Sequence, residues 1–478
     1  MQATDPHRAD TVGLGPPAPM PARARTALAY AARIALPLPL LLLALQLPLI
    51  LNPGYFSHDE LQWWARADVP TGSALPWLPW LDLSPLQYRP LTFNLWLLLA
   101  HAFAATPRLM HLLFVALGTA NAWLVARVLA GAGVRPRVCY TAAVVFALSP
   151  YVVYVHGWTA TLADLLTLAF LLLAVRVVQR ATATQTARTD PVRALAAALF
   201  VALALLSKES AIVLPALLAF AAYGQPSSRT ARLAVVFSSI VVIAYLALRL
   251  PILVDSASAD PAYAWSLRNI APRGAEYALY PFTPPLFEVG SLLNASLARL
   301  AAATVCVALL LCALATRNWR WPIAWLAAVI AALAPVLVLP IAYDQYAYLA
   351  SAAGVAIAAA AWSGVGRRAR FLLALLAAIL AAHGIAVAER MIAAGVVERN
   401  LHADLLDIVQ QEPGTPLVIS AADARDAWLL GRLLHDVDRY RGVSLLNVRL
   451  AAENDESAPG TRRLVMDRRG HLAPIPGP

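Results

Sequence analysis

Long apolar runs, repeated along almost the whole chain, constrain this sequence more than anything else in it. A stretch of roughly 17 to 25 apolar residues satisfies its own backbone hydrogen bonds as a helix and crosses the hydrocarbon core of a bilayer. About eleven such runs are present, near residues 28–51, 107–130, 138–155, 157–179, 193–207, 208–223, 233–250, 292–315, 322–341, 346–362 and 370–391. With 60% hydrophobic and 13% charged residues, the chain carries more apolar surface than a soluble core can bury. The fold expected is an all-α polytopic membrane protein of about eleven transmembrane helices. The first run lacks a small-residue cleavage site and reads as a retained span.

Arginine placement orients the spans. Arg23, Arg25 and Arg33; Arg127, Arg135 and Arg137; Arg176, Arg180 and Arg188; Arg229 and Arg232; Arg317 and Arg320; and Arg367, Arg368 and Arg370 cluster at alternate ends, the pattern of cytoplasmic loops. The net charge of +10 therefore reports orientation, and no single basic patch points to nucleic acid. One apolar segment, Leu91 to Ala105, would reverse every later loop if it crossed. Being short and carrying Asn94, Trp96 and His101, it reads as a re-entrant or interfacial helix.

The expected organisation is a basic cytoplasmic tail over 1–27, a transmembrane domain over 28–391 with a first outward loop over 52–106, and an outward tail over 392–478. Tight turns near 156 and 208, the loop 251–291 and the turn 342–346 would also face outward. The tail mixes helical patterns with a strand-like PLVIS and reads as a small α/β appendage. Cys139, Cys306 and Cys312 fall inside apolar runs, so neither a disulfide framework nor a metal finger is available.

Polar residues that could carry chemistry gather in the outward segments. His58-Asp59-Glu60 follows the first span, and a carboxylate there could deprotonate an acceptor, hold a cation or simply belong to an acidic loop. Ser207-Lys208-Glu209 lies at the tip between two short spans, and Lys208 is the chain's one lysine. A compact ammonium at that place suits a phosphate, or snorkels to the interface and pairs with Glu209. Tyr88-Arg89-Pro90 puts an arginine at the outward end, against the orientation rule. Phosphate binding, pairing with Asp59 or Glu60, and headgroup anchoring all account for it. Asp164, about two turns into a span, is costly unless it faces a cavity or caps an exposed helical start. Tyr346 and Tyr348 stand at a late turn, where tyrosines usually form an interfacial belt. No Walker loop, dinucleotide fingerprint or zinc-type cluster occurs, which disfavours nucleotide-driven transport.

In this order, first span, HDE, YRPL, WTATLAD, LLSKESAIVLP and YDQYAYL, the motifs resemble the GT-C superfamily of membrane glycosyltransferases. The nearest groups are protein O-mannosyltransferases, their TMTC relatives and lipid A aminoarabinose transferases. The resemblance covers about residues 28 to 362. It implies a sugar donor on a polyprenyl phosphate in the lipid bilayer, transfer to a glycan, lipid or protein acceptor, and a site on the periplasmic side of a bacterial inner membrane. It implies direct displacement with inversion, Asp59 and Glu60 as the catalytic carboxylates that orient and deprotonate the acceptor, Lys208 and Arg89 as phosphate ligands, and His58, Asp164, Glu209, Tyr346 and Tyr348 in support. A divalent cation, Mg or Mn, would fall on Asp59, Glu60 and Asp164. Two departures stand out: Asp344-Gln345 where relatives often carry Arg, and Arg-Pro-Leu where some carry Pro-Pro. A lipid-carrier flippase or a non-catalytic scaffold for envelope polysaccharide assembly are the rival readings. Transporters of that kind usually show paired repeats and broken midplane helices, whereas here the polar residues gather at one face.

Overall fold

The computed structural model describes residues 37–69, 73–183, 189–223, 229–255, 260–316, 318–451 and 460–475. The expected basic tail over 1–27, the first residues of the first span, and Arg23, Arg25, Arg33, Arg188 and Arg317 lie outside the described residues. Proline opens many of the helices: Pro90–Phe103, Pro107–Gly131, Pro136–Ala147, Pro150–Gly157 and Pro191–Leu205 all begin on one. A helix's first turn leaves its N–H groups unbonded, so the missing proline N–H costs nothing there and the fixed φ favours the start.

Among the described residues five helices are long and apolar enough to cross a membrane: Pro107–Gly131, Thr159–Arg180, Arg229–Val254, Leu297–Ala315 and Arg367–Gln411. A sixth is counted if Pro136–Ala147 and Pro150–Gly157, bent by 62° at their junction, form one span. The expected eleven are not reached. The shortfall is one of length, because Pro191–Leu205, Glu209–Ala222 and Arg320–Leu333 are apolar but short, while Pro90–Phe103, also short, was not expected to cross. A 15-residue helix covers about 22 Å, less than a core of about 30 Å. The first apolar run is itself divided at Gln46, between Pro37–Leu45 and Leu47–Ile50.

The helices pack as consecutive neighbours. Leu162–Ala183 lies against both Pro107–Gly131 and Pro191–Leu205, which in turn pairs with Arg229–Val254. A glycine sets one close crossing: a Cβ on Gly384 would collide with the Leu148 carbonyl at the 62° bend, so the last long helix reaches that bend only because the position is bare. Inside the bundle, Gln46, Asn121, His156 and Tyr348 are buried together. His156 Nδ1 lies 2.7 Å from Gln46 Oε1 and Nε2 3.0 Å from the Tyr348 hydroxyl, which also accepts from Asn121 Nδ2 at 3.2 Å.

The final long helix, Arg367–Gln411, has 45 residues, about 68 Å at 1.5 Å per residue and more than twice the hydrocarbon thickness. It runs without a break past residues 391 and 392, so the apolar segment and the base of the appendage are one rod. The appendage is a small α/β unit, as its sequence pattern suggests. Its sheet holds β1 (Leu417–Ala421) parallel to β2 (Val448–Leu450) and β3 (Arg462–Met466), with β4 (Leu472–Pro474) antiparallel to β3, so the strand order is β2-β1-β3-β4. Leu401 and Leu405 of the rod share a hydrophobic cluster with Leu417, Ile419 and Leu464 of the sheet. The first loop also closes on the rod, where a Cβ on Gly54 would meet the Gly395 carbonyl and one on Gly395 would meet the Asn52 side chain.

Candidate functional site

Asp59 and Glu60 open the helix His58–Ala67, and one residue of helical rotation sends them to different surroundings. Glu60 is wholly buried. Its Oε2 accepts the backbone N–H groups of Phe56 at 2.6 Å and Ser57 at 3.0 Å, closing a cap on its own helix. Its Oε1 accepts the N–H and the hydroxyl of Thr159, both at 2.7 Å. Burial pushes its carboxyl up from an ordinary 4.5 to about 7, against the pull of these four hydrogen bonds. Glu60 thus ties the first loop to the start of the Leu162–Ala183 helix. Asp59 keeps a side chain 43% exposed, with His58 Nε2 3.7 Å away. His58 Nδ1 lies 3.0 Å from the Arg432 carbonyl, so that nitrogen carries a proton, and a second proton on Nε2 would pair the ring with Asp59.

Two ion pairs stand at the end of the bundle, one buried and one partly buried. Lys208, 4% exposed, reaches from the tip between the two short helices to Asp164 Oδ1. Arg89, at the N-cap of Pro90–Phe103, donates from Nε to Glu209 Oε2 at 2.8 Å. Burial opposes the charge on Arg89, yet Glu209, Tyr263 and Tyr346 outweigh it and hold the guanidinium above its ordinary pKa. The partners differ from the simplest sequence readings: Lys208 takes Asp164 rather than Glu209, and Arg89 takes Glu209 rather than Asp59 or Glu60. Glu209 Oε1 is buried without a hydrogen-bond partner, an acceptor facing inward with nothing from the chain to satisfy it.

Tyrosines bridge the two sides. The Tyr346 ring centroid lies 4.7 Å from Lys208 Nζ and 5.5 Å from the Tyr343 ring. Burial, and after it Tyr263, Asp260 and Asp59, raise the Tyr343 phenol. Tyr348 is elsewhere, in the His156 cluster inside the bundle. Asp344 is buried, its two carboxylate oxygens each 3.2 Å from the Val289 N–H. Burial and the nearby Glu288 drive its pKa well up.

Two arginines missed in the sequence complete the frame. Arg432, from the appendage helix Ala424–Leu434, donates to Glu288 Oε1 at 2.9 Å and the Tyr154 hydroxyl at 3.0 Å, and stacks 4.1 Å from the Phe56 ring centroid. Burial works against its charge, but Tyr154, Glu288 and Asp59 hold its pKa up. Gln62 Nε2 adds a hydrogen bond to the His435 carbonyl at 3.0 Å, so the appendage is seated on the acidic loop. Arg249, fully buried in Arg229–Val254, donates to the carbonyls of Leu83, Pro85 and Leu86 and lies over Tyr88. It fixes the extended chain that delivers Arg89. An arginine within an apolar run is a signal readable from sequence; nothing in the sequence links Arg432 to Glu288.

Asp59, Glu60 and Asp164 do not fit together as a cation site. Both Glu60 oxygens are taken by chain donors and Asp164 faces Lys208. Among the described residues no group of three or more His, Cys, Asp or Glu side chains is arranged to hold a metal ion.

Among solved structures, the chain is similar to the archaeal oligosaccharyltransferase AglB from Archaeoglobus fulgidus, solved in complex with an inhibitory peptide and a dolichol-phosphate. Identity is 13% and the TM-score 0.42, over 84% of this chain and 64% of that one, so the chain spans under two thirds of that structure's length. No family model and no curated protein matches the sequence.

Proposed function

We propose that the protein is a membrane glycosyltransferase that moves a sugar from a polyprenyl-phosphate donor to a glycan, lipid or protein acceptor. The observation that carries this reading is the presence, at one end of the bundle, of a buried ammonium and a partly buried guanidinium together with a half-exposed carboxylate. An ammonium has three N–H donors and a guanidinium five, so Lys208 and Arg89 keep donors for a phosphate while paired with Asp164 and Glu209. They would stabilise the charge gathering on the phosphate as it leaves. The unpartnered Oε1 of Glu209 offers an acceptor for a sugar hydroxyl.

In the proposed reaction the acceptor's hydroxyl or amine attacks the anomeric carbon, its proton passes to Asp59, and the bond from that carbon to the phosphate oxygen breaks with its electron pair going to phosphate. A single displacement inverts the anomeric centre. Glu60 then acts by placing Asp59 rather than by taking a proton itself. The membrane is proposed to be the bacterial inner membrane, with the site and the appendage on the periplasmic side. A periplasm-active reporter fused at the C-terminus tests this orientation, and signal from a cytoplasmic reporter alone refutes it.

Membranes carrying wild type, Asp59→Asn or Lys208→Ala, supplied with a panel of radiolabelled polyprenyl-phosphate sugars, test the reaction. Label reaching an acceptor with wild type alone supports the reading. Donor that binds without transfer, or that crosses the bilayer intact, overturns it in favour of a scaffold or a translocator.

A further inference from the structure

An apolar cleft of about 450 Å³ runs between Pro136–Ala147, Arg320–Leu333, Tyr348–Ala361 and the long rod. Its walls include Ala142, Val329, Gly354, Ala358 and Leu380. It follows the helix from Ala347 to Trp362, about 22 Å of helical rise, which exceeds the depth of one leaflet, about half of a 30 Å core.

The two ends of this cleft differ in charge. At the end nearer the candidate site stand Tyr151 and Tyr277, whose hydroxyls are already given to the carbonyls of Tyr277 and Tyr343. Neither Lys208 nor Arg89 lines the cleft. At the other end Arg137, Val138 and Trp362 pass directly into a second cavity of about 420 Å³, lined by Arg135 and Arg137 together with Pro136. Among the described residues neither Arg135 nor Arg137 takes part in an ion pair. Arg370 adds a third positive charge beside them, donating to the Trp362 and Ser363 carbonyls.

Arginines at helix ends on this side set orientation and need no ligand. Their coincidence with the mouth of an apolar slot is what asks for one: a long chain with a negative charge at the arginine end. We infer that the cleft holds one acyl chain of an anionic glycerophospholipid of the bilayer, with its phosphate on Arg135 and Arg137. An uncharged polyisoprenoid tail would leave both guanidinium groups unanswered, and a donor phosphate entering from the site end would meet no cation along the cleft. The inference stands apart from the proposed transfer reaction and does not need it.

Delipidated full-length protein in neutral detergent, titrated with dioleoyl-phosphatidylglycerol or dioleoyl-phosphatidylcholine and read by native mass spectrometry, tests it. At about fivefold per arginine near a lipid surface, the anionic lipid is expected to bind about thirtyfold more tightly. The double variant Arg135→Gln with Arg137→Gln, exposed positions that leave the bundle core untouched, should bind both lipids alike. Ala358→Phe, which fills the slot, should weaken both. Equal binding of the two lipids by wild type, or an unchanged preference in the double variant, would overturn the inference. So would one-for-one displacement of phosphatidylglycerol by a polyprenyl phosphate, which would give the cleft to the donor.

Discussion

The two sides of the candidate site are built differently. On the bundle side, Lys208, Asp164, Arg89 and Glu209 are held by helix ends and paired, the first two buried and the second two partly so. On the loop side, Asp59 and His58 stand on a short helix whose position depends on an appendage more than 370 residues away in sequence, through the Arg432 carbonyl at 3.0 Å. The bundle side supplies fixed charge in a dry setting, where electrostatic effects are strong. The loop side leaves one carboxylate, that of Asp59, open to solvent. In the proposed reaction the groups that hold the phosphate are paired within the bundle, and the one that takes the acceptor's proton is open to solvent.

That contrast makes separable predictions. The largest effect expected is on Asp59→Asn, where transfer should fall by about 10²- to 10⁴-fold while the thermal midpoint in detergent stays put, because the side chain is half-exposed and anchors nothing. Loss of both together would erase the distinction between the sides. Lys208→Ala should do the opposite in emphasis: stranding Asp164 costs about 3 to 5 kcal/mol of stability, visible in the melting curve before any assay of transfer. Adding Asp164→Asn should recover most of that stability without restoring transfer.

Glu60 gives a pH test. A carboxyl whose folded pKa sits near 7 rather than near 4.5 holds its proton more tightly in the folded state. Its contribution to stability is therefore complete below pH about 4.5 and is lost as pH rises through about 7. Unfolding followed across that window should show the decline, and Glu60→Gln should flatten it. The smallest effect is expected at the appendage: Arg432→Ala leaves Glu288 partly buried without its cation, about 1 to 3 kcal/mol. Its reading is faster proteolysis of the appendage with the bundle intact, and equal cleavage of both would mean that Arg432 supports the whole fold.

Much of this architecture was legible because apolar length is a local property. Pro107–Gly131 and Leu297–Ala315 fall close to where the apolar runs lie, and PLVIS becomes strand β1. The count of spans was not, because an apolar run does not disclose how many of its residues the helix will use; Arg320–Leu333 stops at 14. Single site residues were legible as chemical oddities, such as a solitary lysine or an acid within a span. Their pairing was not, since Lys208 and Asp164 are brought together only by the packing of Leu162–Ala183 on Pro191–Leu205. Nor does adjacency in sequence reveal that Glu60 turns inward to four donors while Asp59 turns out.

The 45-residue rod has a mechanical consequence. A continuous α-helix is stiff, so the angle at which its apolar half lies in the bilayer and the place where its polar half carries the sheet are one variable. A thicker or thinner membrane changes the tilt of such a helix. At a lever of some 30 Å beyond the hydrocarbon, a tilt of a few degrees moves the far end by ångströms, comparable to the length of the hydrogen bonds that seat Arg432 and His58. Bilayer thickness is thereby a geometric input to the loop side of the site and leaves the bundle side untouched.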